Sequence, residues 1–128
     1  MIYLDSSVVL AHLFAEDRTP PSSIWDQGPV SSRLLEYEVW IRVRARPSSQ
    51  VLIAAAEDAI DAIRFVELAR PVLERAKQAF PVPVRTLDAL HLSTALFLRS
   101  HRSDVSLATY DVRMREAGRA LEIPLADL

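Results

Sequence analysis

Four carboxylates stand where carboxylates are usually absent. Asp5 directly follows the apolar run MIYL, and Asp111 closely follows VSLAT. Glu38 and Asp88 interrupt segments whose apolar spacing is that of buried helix faces. Each has an ordinary structural role when taken alone. Asp5 and Asp111 suit helix N-caps, Asp88 in a first turn complements the helix dipole, and Glu38 can pair with Arg42 four residues on. Together they place several carboxylates near one crevice. Two bare charges about 4 Å apart repel by about 4 kcal/mol at an effective dielectric of ~20. A hard divalent cation taken through oxygen, Mg²⁺ or Mn²⁺, removes that cost.

The stretch TLDALHLSTALFLRS, residues 86–100, poses the problem most sharply. Leu87, Leu90, Leu92, Ala95, Leu96, Phe97 and Leu98 cover most directions of a helical wheel, and only Ser93 and Ser100 mark a wet side. A helix apolar almost all round is buried. A buried charge is costly unless it is paired or holds a metal. His91, one turn beyond Asp88, reads as a packed histidine or a partner of the acids rather than a ligand, because hard ions prefer oxygen. His12 and His101 give no metal spacing with it.

In RLLEYEVWIRVRAR, Glu36 and Glu38 point about 200° apart on a helix, so only one faces a given pocket. Leu34, Ile41 and Ala45 flank Glu38 on one side, and Leu35, Val39 and Val43 on the other. Glu36 shares its arc with Arg33, Trp40 and Arg44. The wheel selects Glu38. Ser7 and Thr109 stand beside the acids, where a hydroxyl can orient a carboxylate or a water. Arg42, Arg44 and Arg46 form a local cationic cluster in IRVRAR, and arginine suits bidentate phosphate contacts.

The elements that must position these residues alternate along the chain. MIYL reads as a buried strand, followed by a helix capped by Asp5, Ser6 or Ser7 and running to about residue 15. RTPPSS is a loop, and a short helix is expected around Trp25. PVS is a strand before a helix over 33–46 that Ser32 caps and Pro47 stops. QVLIAAAEDAIDAI is a helix, IRFVEL a strand and RPVLERAKQAF a helix. FPVPV is a loop ahead of the helix over 86–100. VSLAT is a strand, Asp111 caps a helix over 112–121, and IPL is a candidate closing strand. This order predicts a single-domain α/β fold over 1–128, three layers α/β/α around a mainly parallel sheet. Ligands in such sheets bind beyond the carboxyl ends of strands at a switch point, where Asp5 and Asp111 lie.

Composition narrows the classes. The 128 residues are half hydrophobic and include no cysteine, which excludes disulfides, thiolate metal sites and a cysteine nucleophile. The start MIYLDSSVVL carries no basic leader, and no apolar run approaches the roughly 18 residues of a membrane helix. A cytoplasmic protein without a membrane partner is expected. The net charge of −2 does not advertise nucleic-acid binding, although Lys77 is the lone lysine among fifteen Lys and Arg residues. Two glycines cannot build a phosphate-binding P-loop or a dinucleotide fingerprint.

The segments YLDSSVVL, SSRLLEYEVWIR, LDALHLSTAL and ATYDVRMREAGRALEIPL resemble, in order and along the whole chain, the PIN-domain ribonucleases, and within them the VapC-type toxins of toxin–antitoxin pairs. The resemblance implies that Asp5, Glu38, Asp88 and Asp111 bind one or two Mg²⁺ or Mn²⁺ ions, and the spacing from Ser32 again points to Glu38. It implies a metal-dependent endoribonuclease that cleaves RNA with an ion-activated water, a small cognate antitoxin as partner, and a homodimer. On this footing Ser7 and Thr109 would support the acids from behind, and Arg42, Arg44 and Arg46 would meet RNA phosphates or an acidic antitoxin segment. The alternatives are a catalytically weak PIN-like module that binds RNA or protein, and a structure-selective DNA nuclease. The four acids speak against the first, and the lack of chain for extra DNA-binding elements against the second.

Overall fold

The computed structural model describes every residue except Ser48. Among the described residues four strands form one sheet: β1 Ile2–Leu4, β2 Pro29–Ser32, β3 Arg64–Val66 and β4 Ser106–Ala108. Their order is β3-β2-β1-β4 and every pairing is parallel. Among the described residues the helices are α1 Ser6–Phe14, α2 Arg33–Arg44, α3 Gln50–Asp61, α4 Arg70–Ala76, α5 Thr86–His101 and α6 Val112–Ala120. A 3₁₀ turn at Ser22–Asp26 carries Trp25.

The pleat of β1 sorts the layers, because successive side chains leave opposite faces of a strand. Ile2 and Leu4 pack with Val8 and Val9 of α1, Leu35 and Val39 of α2, and Ala56 and Ile60 of α3. Tyr3 points the other way and packs with Leu92 and Ala95 of α5 and Met114 and Ala117 of α6. The result is the expected α/β/α stack, with each fully buried large aliphatic side chain contributing roughly 1.5–3 kcal/mol.

Connectivity follows from the same stack. From β1 to β2 to β3 the chain steps in one direction with α1, α2 and α3 on one face. It then returns past β1 to β4, with α5 on the opposite face. Parallel crossovers keep one hand, so reversing the direction of travel requires changing the face. The reversal separates β1 from β4, and the carboxyl ends of these two strands flank the switch point where α/β sheets open a crevice. Asp5 and Asp111 leave the sheet there.

Helix starts match the capping residues read from the sequence. Asp5, Ser32 and Asp111 accept hydrogen bonds from the backbone N–H groups of Ser7, Leu34 and Met114. Several element ends differ. The second helix stops at Arg44, short of residue 46, because the approach to Pro47 disfavours helical backbone. The fourth stops at Ala76 rather than 80: Pro81 and Pro83 cannot continue a helix, and Phe80, Val82 and Val84 turn inward to pack on the core beneath α5. The strand read from IRFVEL is only Arg64–Val66. IPL does not form a strand. Leu125 makes one isolated parallel bridge to Leu107, because Pro124 has no N–H to extend the ladder. Among the described residues no helix is long and apolar enough to cross a membrane.

Candidate active site

Asp5 is the most enclosed of the four acids, with 6% of its surface exposed. Its N–H donates to the Ala108 carbonyl at 3.0 Å, which ties the end of β1 to the end of β4. Its Oδ2 accepts from Ser7 Oγ at 2.6 Å and from Thr109 Oγ1 at 2.8 Å. Each hydroxyl has one proton, so both protons are spent on Asp5, and their oxygens remain as acceptors. Ser7 Oγ accepts the Tyr110 N–H and Thr109 Oγ1 accepts the Asp111 N–H, each at 3.0 Å. One network thus holds Asp5 and sets the backbone that presents Asp111. Hydrogen bonds to a charged carboxylate are about twice as strong as neutral ones.

Glu38 reaches the same region from α2, with 17% of its side chain exposed. Its Oε1 lies 2.5 Å from His91 Nε2, and its Oε2 accepts from Ser6 Oγ at 3.2 Å. His91, 1% exposed on α5, places Nδ1 2.8 Å from the Tyr3 hydroxyl, and that oxygen accepts the Ser32 N–H at 3.2 Å. Every group is satisfied if Tyr3 donates to Nδ1 and Nε2–H donates to Glu38. Burial disfavours charge on His91, but the bond to Glu38 and the charges of Asp5, Glu38 and Asp88 outweigh it and hold its pKa above the ordinary value. Nε2 donates to Glu38 in either protonation state.

Asp88 lies in the first turn of α5, where its carboxylate takes a hydrogen bond from the Arg85 backbone. Partial burial, then the charges of Asp111 and Asp5, raise its pKa above the usual carboxylate value despite that bond. Asp111 is exposed, and its Oδ1 accepts the Met114 N–H at 3.0 Å. All four acids line one cleft of about 510 Å³, which Arg42 and Arg85 also border. Among the described residues no three His, Asp or Glu side chains converge closely enough to grip an ion as they stand. The donors nevertheless suit a hard divalent cation: they are all carboxylates, they face one cavity, and Asp88 already feels the negative charge of two of the others.

Glu36 is not in the cleft; it is 34% exposed and pairs with Arg33 at 2.8 Å. Glu38 has His91 as its hydrogen-bond partner rather than Arg42, and Arg42 makes no ion pair among the described residues. The arginine cluster diverges. Arg42 lines the cleft, whereas Arg44 stacks 5.2 Å over Trp40 and Arg46 lies 3.7 Å over Phe14. Sequence reasoning passed over Ser6, Tyr3 and Arg85. Tyr3 had left a signal: a hydroxyl in the middle of a strand otherwise apolar needs a buried partner.

The match to known proteins agrees with this geometry. The family model of the PIN domain matches residues 2–120. The chain belongs to the PIN-domain family. Relatives of this PIN domain in Mycobacterium tuberculosis are named Ribonuclease VapC47, 30% identical over 92% of this chain and 93% of the relative, and Ribonuclease VapC46, 32% identical over 94% and 92%. Ribonuclease VapC35 is 29% identical over 96% and 93%. The chain therefore resembles the VapC group across nearly its whole length.

The Asp5 network gives a direct test of what holds the crevice of this PIN domain. Thr109→Val keeps the shape but removes a donor to Asp5 and the acceptor of the Asp111 N–H. Unfolding in urea should show a loss of about 1–3 kcal/mol, the cost of stranding buried polar partners. A loss within ~0.3 kcal/mol of zero would mean that the two strand ends are held by other contacts.

Proposed function

We propose that this PIN domain is a metal-dependent endoribonuclease and the toxin of a type II toxin–antitoxin pair. The observation that carries the reading is that Asp5, Glu38, Asp88 and Asp111 line one cleft at the sheet's switch point. The ribonuclease names of its relatives support it. Asp5, Glu38, Asp88 and Asp111 would hold Mg²⁺ or Mn²⁺. A bound ion of this kind lowers the pKa of a water and offsets charge gathering on a phosphate.

The chain's own groups supply the rest. Ser7 and Thr109 hold and aim Asp5, while Ser6 and His91 hold both oxygens of Glu38. Arg42 and Arg85 border the acids and can meet the RNA phosphates on either side of the bond to be cut. Arg44 at the end of α2 and Arg46 just beyond it, neither lining the cleft, fit contacts farther along the RNA or with an acidic antitoxin segment. The proposal includes a small antitoxin partner, a homodimer and a cytoplasmic setting.

Three outcomes are expected. The purified protein should cleave a susceptible RNA with Mg²⁺ or Mn²⁺ and stop with EDTA. Glu38→Gln should remove nearly all cleavage, whereas Glu36→Gln should change it little, as for a surface substitution. The opposite ranking of the two variants in a cleavage assay would move the site along α2. For Arg42, RNA affinity measured against salt in a cleavage-dead background should fall for Arg42→Gln. The log–log slope should become shallower by about 0.7, one single-strand phosphate contact. An unchanged slope would take Arg42 off the RNA path.

A further inference from the structure

We propose that His91, backed by Tyr3, is a positioning residue that sets the Glu38 carboxylate for ion binding. The proposal rests on the metal-dependent reading above and goes beyond it by naming what arms one of its acids.

The geometry is unusual for a side chain serving only to fill a core. Glu38 belongs to α2, which packs on the Ile2 and Leu4 face of the sheet. His91 belongs to α5, on the opposite face. The two meet past the carboxyl end of the sheet, so the orientation of an acid from one layer is fixed by a residue from the other. Glutamate has three side-chain torsions and reaches the cleft only with all of them set. The bond at Oε1 from His91 and the bond at Oε2 from Ser6 set them before any ion arrives.

His91 is itself held. Its ring meets the Tyr3 ring edge-on, with centroids 5.9 Å apart and planes at 75°, and Tyr3 closes on its Nδ1. The Tyr3 oxygen is fixed in turn by the N–H of Ser32, the residue that caps α2. The chain of contacts therefore leaves α2 at its cap, crosses β1 and α5, and returns to α2 at Glu38. The Glu38 carboxylate only accepts, so Nε2 carries the donor that faces it, and the Tyr3 hydroxyl can donate to the Nδ1 lone pair left free. Outer partners of this type tune the basicity and aim of metal-binding groups.

The test is calorimetric titration with Mn²⁺ alone, beside thermal melting of the ion-free protein. His91→Leu removes the donor and should weaken Mn²⁺ binding by ~10–100-fold, the range seen when outer partners are lost. His91→Gln restores an N–H near the place of Nε2 and should recover most of that affinity. Tyr3→Phe removes a single hydroxyl and should weaken binding several-fold, even if its melting temperature matches the wild type. Were His91→Leu not to fold, Tyr3→Phe would decide the matter: affinity within twofold of the wild type overturns the proposal. Glu38→Gln separates the two levels. If it abolishes Mn²⁺ binding while folded His91 and Tyr3 variants bind normally, only the positioning role is wrong. If Glu38→Gln binds Mn²⁺ as the wild type does, the acid site and the positioning role both fail.

Discussion

The pairing of Asp5 with two hydroxyls at the ends of β1 and β4 is the constraint around which the rest of the site is arranged. A carboxylate enclosed to this degree is tolerable only with partners, and Ser7 and Thr109 provide them. The same hydroxyls then receive backbone N–H groups from Tyr110 and Asp111. Asp5 therefore fixes more than its own position. It sets where the chain leaves β4, and with that where Asp111 stands. Moving Asp5 by one residue would exchange the two faces of β1, because strand side chains alternate. Ile2 and Leu4 would lose the core of α1–α3, and Tyr3 would lose His91.

Around this fixed point the two helical layers bring in the remaining acids from opposite sides. Glu38 comes from α2 and Asp88 from α5. Their layers differ in how firmly they hold the side chain. Both Glu38 oxygens are engaged, whereas Asp88 has one backbone donor and Asp111 is an exposed cap. The cleft thus has an ordered wall, Asp5 with Glu38, and a looser one, Asp88 with Asp111. The like-charge strain shows on the looser wall, where the pKa of Asp88 is raised by burial and by its acidic neighbours. On the proposed reading, a cleft with one firm side and one looser side would leave room for water and a phosphate, as a magnesium-type ion keeps part of its shell for them.

Much of this was legible in the sequence because it depends on local rules. The caps at Asp5, Ser32 and Asp111 and the alternation of strand and helix follow from residue type and period, whereas α5 departs from its wheel by burying Ser93 and exposing Leu87. That Glu38 rather than Glu36 turns to the cleft was legible in part: Leu35, Val39 and Val43 on one flank are buried as the wheel implies, whereas Ile41 on the other flank is 52% exposed. What depended on contact between distant segments was not. Nothing near His91 in the chain discloses that Glu38, 53 residues earlier, is its partner. The run IRVRAR looks like one basic patch, yet Trp40 and Phe14 draw Arg44 and Arg46 away and leave Arg42 at the cleft. The end of α4 was misjudged because the inward turn of Phe80, Val82 and Val84 is decided by a core assembled from other elements. The closing IPL segment failed as a strand for a single local reason, Pro124.

The central claim is that the acids form an ion site in the folded protein. Melting of the wild-type protein against rising Mn²⁺ tests it most directly, without RNA or a partner. An ion that binds only the native state stabilises it by about 2.7 kcal/mol at a hundred times its dissociation constant. The account predicts a midpoint that climbs steadily with the logarithm of Mn²⁺ concentration and returns to its starting value on adding EDTA. A midpoint that stays flat as Mn²⁺ is raised through the millimolar range would contradict it.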